Sequence, residues 1–358
     1  MRFLIYIADQ TLPSGGTNVA VKIVSILNEE GFEALALFGG RRCHYTGGST
    51  FIEGVYNHRF SNPPPIGIMG KVSKSIRGLK AAINASIGVG QKPNLHTDLR
   101  PDDVLVVPDY TLKWAASRCV GLAKVAMVQG MEPLYMGWPS DGSNLHKDFQ
   151  ATITTSQACL DAAFMMGLPD PKPVRLSVAQ PGLRYQAKKS RKIAYMPRKM
   201  PYLSRAVVAA LSGLAEMEGY EFVAIDRMHP EEVSNVLADS LVFLSFVGLE
   251  GFGLPAAEAM LAGCLVIGFV GVGGAEFFTP QTGVVVSDGD AVKMVAAVRA
   301  TLKEYESDPR RLDSLRNYAS RYIETTYTEA AFRQSVVAAF GEIRESFQSS
   351  QHSIGATG

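Results

Sequence analysis

Two glutamates eight residues apart, Glu250 and Glu258, stand in a stretch of apolar residues and glycine: Leu241 to Phe278 reads LVFLSFVGLEGFGLPAAEAMLAGCLVIGFVGVGGAEFF. A carboxylate accepts hydrogen bonds from two hydroxyls at once, so each of these side chains can grip a polyol. Between them, Gly251 and Gly253 let the backbone come close to a ligand. Phe252, Gly253 and Leu254 bring amides to the start of a helix, where the dipole places about half a positive charge. Such a junction takes an anion, and a phosphate held between two polyol contacts describes a nucleotide sugar. Either carboxylate alone would be unremarkable, one as a helix-entry residue and the other as a solvated helix position. The pair, embedded among glycines and apolar residues, carries the reading.

The elements that position this pair are legible around it. Leu241 to Phe246 is a buried strand feeding the loop Val247 to Leu254; Pro255 suits the first helical position, Gly263 ends the helix, and Leu265 to Phe269 is the next strand. Upstream, Phe3 to Ala8 is a strand leading through Gly15-Gly16 to a helix over Val19 to Asn28, with a stop at Gly31 and a second strand from Glu33 to Phe38. Asp103 to Pro108 and Lys124 to Gln129 read as parallel-type strands separated by a helix over Leu112 to Gly121. Asp109 and Gln129 stand at their carboxyl ends, where open α/β sheets place ligands. Glu132 to Asp148 reads as loop, with Tyr135, Trp138 and His146 as acceptor contacts. A strand Ala151 to Thr155, a helix Ser156 to Met166 and a strand Val174 to Val178 follow.

The basic stretch Lys188, Lys189, Arg191 and Lys192 reads as a solvated junction, which sets two domains, 1–187 and 188–358. Ile193 to Met196 opens the second, with Arg198 and Lys199 placed to meet a departing diphosphate. Further strands are expected at Phe222 to Ile225 and Val284 to Val286, and helices at Glu231 to Ala238 and Ala291 to Leu302. Asp290 caps the latter helix rather than holding a metal. Pro309 to Phe347 reads as helical with a change of direction near Thr325 to Thr328, and Ser349 to Gly358 as a disordered tail.

Composition sets outer limits. The 358 residues suit two domains, and 47% hydrophobic residues can fill two cores. A net charge of +1 invites no nucleic-acid partner. Cys43, Cys119, Cys159 and Cys264 have no metal-ligand spacing and read as reduced, buried thiols, so a cytoplasmic protein is expected. Met1 to Ala8 reads as a strand, not a signal peptide, and the uncharged run Ala259 to Ala275 is broken by glycines. Gly70 to Ile83 reads as an amphipathic helix with Lys71, Lys74, Arg77 and Lys80 on its polar side, a candidate for peripheral contact with the inner face of a membrane.

The segment Glu250-Gly-Phe-Gly-Leu-Pro-Ala-Ala-Glu258, followed by Gly263 and Gly273-Gly274-Ala-Glu276, resembles the signature of the family-4 (group 1) retaining glycosyltransferases. The resemblance implies an α/β fold of two Rossmann-like parallel-sheet domains facing across a cleft, the B-type fold, with the last helix (about 329–347) returning to the first domain. It further implies that Glu250 faces the transferred sugar and Glu258 holds the ribose hydroxyls. The amides of Phe252, Gly253 and Leu254 would meet the donor, Gly274 and Glu276 would form a further donor-side loop, and Gly15-Gly16 would lie near the phosphates. The family's Arg falls on Arg198, and its Lys on Lys199 or Arg205. Many members carry a His where Gln129-Gly130 stands; Asp109 and Gln129 are candidates for sugar contacts.

The expected reaction is transfer of a sugar from a nucleotide diphosphate donor to an acceptor hydroxyl, with retention and without metal or other cofactor. The acceptor is a carbohydrate or a lipid-linked molecule, in surface polysaccharide or glycolipid synthesis. A nucleotide-sugar-binding subunit with little or no activity, and a sugar-nucleotide epimerase, are the alternatives on the same architecture.

Overall fold

Continuous apolar runs become the strands of two parallel sheets, because a strand covered by helices on both faces has no polar side to show. The computed structural model describes residues 1–7, 15–39, 54–61, 95–138, 145–179 and 182–355. The chain divides into two compact units. The first holds Met1–Thr155, Cys159–Val174 and Arg333–Gly358, and the second holds Ser156–Ala158 and Arg175–Phe332.

The first sheet is built from β1 (Arg2–Ile7), β2 (Glu33–Phe38), β3 (Gly54–Tyr56), β4 (Leu95–His96), β5 (Asp103–Pro108), β6 (Ala123–Val128), β7 (Ala151–Thr154) and β8 (Pro171–Pro173), in the order β4-β3-β2-β1-β5-β6-β7-β8. All its pairings are parallel. Helices α1 (Gly15–Glu29), α2 (Leu112–Arg118), α3 (Met131–Gly137) and α4 (Gln157–Met165) connect them. The core lies on both faces of β1, β5 and β6, where Leu4, Ile5, Val106 and Val125 are fully buried.

The second sheet runs β10-β9-β11-β12-β13, with β9 (Ser190–Tyr195), β10 (Glu221–Ala224), β11 (Ser240–Ser245), β12 (Leu265–Phe269) and β13 (Val284–Val286), again all parallel. Its helices are α5 (Pro201–Ser212), α6 (Pro230–Asp239), α7 (Leu254–Leu261), α8 (Ala291–Ser307) and α9 (Arg310–Thr326). A cluster of Ile193, Val242, Leu244, Ile267, Met294 and Val298 forms its core. Asp290 caps α8 by accepting from the Lys293 N–H at 2.9 Å. The last helix, α10 (Glu329–Gly355), follows a turn after Thr326.

Several elements differ from the sequence expectation. Helix α1 starts at Gly15 rather than Val19, so the glycine pair forms its first turn. The expected strand at Val174 to Val178 is absent; β8 lies at Pro171–Pro173, and the Val178 N–H bonds the Tyr327 carbonyl at 3.0 Å. The stretch Glu132 to Asp148 contains most of α3. The tail expected to be disordered from Ser349 continues α10 to Gly355. The second unit begins at Arg175 rather than Lys188, because the intervening segment is fastened to it: the Gln186 N–H bonds the Ala262 carbonyl, and Arg316 bonds the carbonyls of Gln186 and Ala187.

Residues of α10 from Arg333 onward pack in the first unit, where Arg333 pairs with Glu29 and Glu30 and Phe340 meets Phe3 edge-on at 4.9 Å. Cys119, Cys159 and Cys264 are buried and in no disulfide; Cys43 and the amphipathic stretch 70–83 lie outside the described residues. Among the described residues no helix is long and apolar enough to cross a membrane.

At the edge of the first core, the guanidinium of Arg2 forks onto Asp103, with Nε–Oδ1 at 2.7 Å and Nη2–Oδ2 at 2.8 Å, both side chains being buried. Removing one partner strands the other charge, so Asp103→Ala should destabilise the first unit by about 3–5 kcal/mol. Both tryptophans, Trp114 and Trp138, lie in that unit, so urea unfolding followed by tryptophan fluorescence measures the loss.

Candidate functional site

In the second sheet the strand order reverses between β9 and β11. Loops leaving the carboxyl ends on either side of such a reversal diverge and leave a crevice for a ligand. The loop after β9 carries Arg198 and Lys199; the loop after β11 carries Val247 to Gly253. The Lys199 ammonium lies 2.7 Å from Glu250 Oε1, an ion contact whose angle misses hydrogen-bond alignment, and the Glu250 side chain is only 16% exposed. Arg198 is exposed and forms no ion pair among the described residues. Arg205, the other candidate for the second cation, is exposed on α5, and the ion contact to Glu250 is made by Lys199.

The loops after β11 and β12 lie backbone against backbone. The Gly273 N–H donates to the Glu250 carbonyl at 3.1 Å, and a Cβ on Gly273 would fall 2.0 Å from the Gly251 oxygen. Gly271, with φ of +59°, also has no room, its Cβ position lying 2.6 Å from the Gly248 oxygen. Asp288 fastens the second loop by accepting from the Val270 N–H at 3.1 Å. At the end of the first loop Gly253 takes φ +93°, a left-handed conformation that a side chain would oppose, and α7 opens directly after it with Pro255 in its first turn. The Phe252 ring is buried against Phe277 and Tyr327, at 4.9 and 5.0 Å between centroids, so the ring serves the core of the second unit. Leu254 is partly buried at the first position of α7, and Glu258 lies one turn further in, partly exposed.

The far end of α7 is held as firmly. Its last carbonyls, which no intrahelical N–H can reach, are met by side chains: Ser320 Oγ on Leu261 O (2.7 Å), Lys189 Nζ on Ala262 O (2.8 Å) and Arg316 Nη1 on Gly263 O (3.2 Å). Lys189 also donates to the Leu237 and Ala238 carbonyls that end α6, and burial draws its ammonium below the ordinary lysine value. Cations at helix carboxyl ends oppose the negative pole of the dipole. Lys189, expected in a solvated junction, is instead held by three carbonyls, and Arg316 is a further cation of this collar that the sequence motifs do not include. The available signal was its place among Leu312, Ala319 and Ile323 on the buried face of α9.

Other expected residues are held by internal partners. Gly274 lies in the single 3₁₀ turn Gly273–Glu276, with room for a Cβ at 3.6 Å from Val270. The Glu276 carboxylate accepts from the Tyr327 hydroxyl at 2.9 Å and from the Gln157 N–H at 3.0 Å. In the first unit, Asp109 is buried and accepts from the N–H groups of Gln129 (2.7 Å), Gly130 (2.9 Å) and Tyr110 (2.9 Å), tying the ends of β5 and β6 together. Burial pushes its carboxyl up to about 7, while the three N–H bonds pull the other way. The Gln129 amide donates to the Gly16 carbonyl at 3.1 Å, so this side chain braces the first turn of α1. Tyr135 is exposed on α3 and Trp138 is partly exposed beyond it; the His146 side chain lies outside the described residues. Among the described residues no three His, Cys, Asp or Glu side chains stand together as metal ligands.

Residues 218–321, which include the whole loop pair, match the family model described as Glycosyl transferases group 1. The alpha-1,6-glucosyltransferase of Actinobacillus pleuropneumoniae serotype 7 (strain AP76) is 28% identical over 139 residues, covering 37% of this chain and 41% of that protein, so the match spans less than half of the relative. Sucrose-phosphate synthase from Thermosynechococcus elongatus superposes with a TM-score of 0.62 at 12% identity, over 97% of this chain and 100% of the other. HepE from Anabaena, solved with UDP and glucose, gives 0.58 at 13% identity over 98% and 100%. The two parallel-sheet units thus have the B-type glycosyltransferase fold, and the second carries the group 1 region.

Two outcomes follow from the packing. Gly273→Ala should cost about 3 kcal/mol or more, since backbone must move to admit the methyl, whereas Gly274→Ala should cost under about 1 kcal/mol; paired denaturation curves compare them. For Asp109, a carboxyl whose native pKa lies above its unfolded value near 3.8 favours folding fully below that value, and the contribution is lost as pH rises through about 7. Thermal midpoints recorded from pH 4 to 7 should therefore fall more steeply in the parent than in Asp109→Asn.

Proposed function

We propose that this chain is a retaining glycosyltransferase that moves a sugar from a nucleotide diphosphate sugar to an acceptor hydroxyl, in the synthesis of a surface polysaccharide or glycolipid. The observation that carries the reading is the Lys199–Glu250 contact beside the glycine-opened start of α7, at the strand-order reversal of a group 1 region. The amides of Phe252, Gly253 and Leu254 and the positive pole of α7 suit a diphosphate. Arg198, exposed and unpaired among the described residues, suits the charge that grows on the leaving phosphate. Glu258, a turn into α7, is assigned the ribose hydroxyls, and Glu250, with its charge partly offset by Lys199, the hydroxyls of the transferred sugar.

No nucleophile and base pair is needed if the leaving phosphate itself helps take the acceptor proton on the face it departs from. Catalysis then consists of holding the acceptor hydroxyl near the anomeric carbon and stabilising the diphosphate, with no resident cofactor. Support for a nucleotide sugar as donor comes from the fold shared with HepE, which was solved with UDP and glucose. The acceptor is taken to be a carbohydrate or a lipid-linked sugar.

A nucleoside diphosphate such as UDP at a hundred times its Kd should stabilise the protein by about 2.7 kcal/mol, seen as a raised thermal midpoint. Arg198→Ala should lose about a hundredfold in turnover with donor affinity little changed. Glu258→Ala should weaken donor binding with a smaller effect on turnover, because ribose does not react. If no nucleoside diphosphate shifts the midpoint, the reading fails; binding without transfer to any acceptor would instead mark a nucleotide-sugar-binding subunit.

A further inference from the structure

Helix α9 carries two tyrosines off its buried stripe of Leu312, Arg316 and Ala319: Tyr318, exposed, and Tyr322, partly buried at the flank. They are one helical turn apart, and their rings lie within 20° of parallel with centroids 6.4 Å apart. Together with Thr279, Gln281 and Glu276 they line a groove of about 200 Å³. The groove is firmly built. The Tyr322 hydroxyl donates to the Glu276 carbonyl at 3.3 Å, and its ring meets Tyr327 edge-on. The opposite wall is a tight turn in which Thr282 Oγ1 donates to the Phe277 carbonyl and accepts from the Thr279 N–H at 2.9 Å. Tyr318, 54% exposed, is left with an open ring face beside the exposed Gln281 amide.

Two near-parallel aromatic faces present negative π-surface, which attracts polarised C–H groups. The amide and hydroxyl groups of the rim can exchange hydrogen bonds with a partner's hydroxyls, while the Glu276 carboxylate in the lining already accepts from Tyr327 and Gln157. The molecule that offers C–H groups on a flat face and hydroxyls around its edge is a pyranose ring whose hydroxyls are equatorial. No cation lines the groove, which disfavours a phosphate or a uronic acid, and the volume admits about one sugar ring. We propose that Tyr318, Tyr322 and Gln281 form a saccharide subsite that takes one neutral glucose-like ring of a longer glycan. The subsite requires no nucleotide, and so goes beyond the transfer reaction proposed above.

The test is calorimetric titration of the full chain with maltopentaose and with cellopentaose, repeated for Tyr318→Ala, Tyr318→Trp and Gln281→Ala, with UDP titrated into each protein as a separate arm. At least one pentasaccharide should bind the parent. Tyr318→Ala should weaken it about tenfold, Gln281→Ala should weaken it severalfold, and Tyr318→Trp should retain it. UDP affinity should not change in any variant. The proposal is overturned if neither pentasaccharide binds the parent, if Tyr318→Ala binds as tightly as the parent, or if UDP displaces the saccharide. Saccharide binding that depends on Tyr318 in a protein that no nucleoside diphosphate stabilises would uphold the subsite while removing the nucleotide-sugar reading.

Discussion

A helix can aim its amino end at a ligand only if its carboxyl end is fixed, and in the second unit that fixing is done by a collar of polar side chains. Ser320, Lys189 and Arg316 take the final carbonyls of α7, and Lys189 takes those of α6 as well. Each would be costly to bury alone, and each is satisfied because helix ends supply carbonyl acceptors that no intrahelical N–H can reach. The two cations also meet the negative poles of the helices they close. The arrangement therefore holds α7 along its axis from its carboxyl end, away from the glycine turn that opens it.

The opening turn is shaped by the absence of side chains. The loops after β11 and β12 touch through Gly248, Gly251, Gly271 and Gly273, at separations where any Cβ on Gly271 or Gly273 would collide with main chain. Backbone laid on backbone leaves no rotamers to settle, so the main chain at Glu250 is held by its own geometry and by two hydrogen bonds, its N–H on the Gly248 carbonyl and the Gly273 N–H on its carbonyl. Lys199 then reaches across from the neighbouring strand end, joining the two sides of the strand-order reversal by charge.

The strands and this loop pair were legible because their signals are local. Apolar runs of five or six residues, a left-handed glycine and a proline after it specify strand, turn and helix within a few residues of one another. What escaped the sequence depends on partners far along the chain. Asp109 looked like a rim residue because it follows a strand, yet its oxygens are consumed by three amides, two of them at the end of the next strand. Lys189 sits in a run of basic residues that reads as solvated, and only the fold reveals that three carbonyls converge on it. Glu276 likewise serves Tyr327 and Gln157, contacts that no spacing in the sequence announces.

The assignment of residues from Arg333 onward to the first unit bears on the order in which the protein can assemble during synthesis. Apart from Ser156–Ala158, the second unit is one continuous segment that is complete once Phe332 has left the ribosome. The first unit must wait for Arg333 to reach Glu29 and Glu30, and for Phe340 to reach Phe3, closures spanning some 300 residues of chain. The half that is translated earliest is thus the half that finishes last. Until then Phe3 and Phe32 lack the cover that Phe340 and Arg344 provide, an apolar surface open to chaperones and to aggregation.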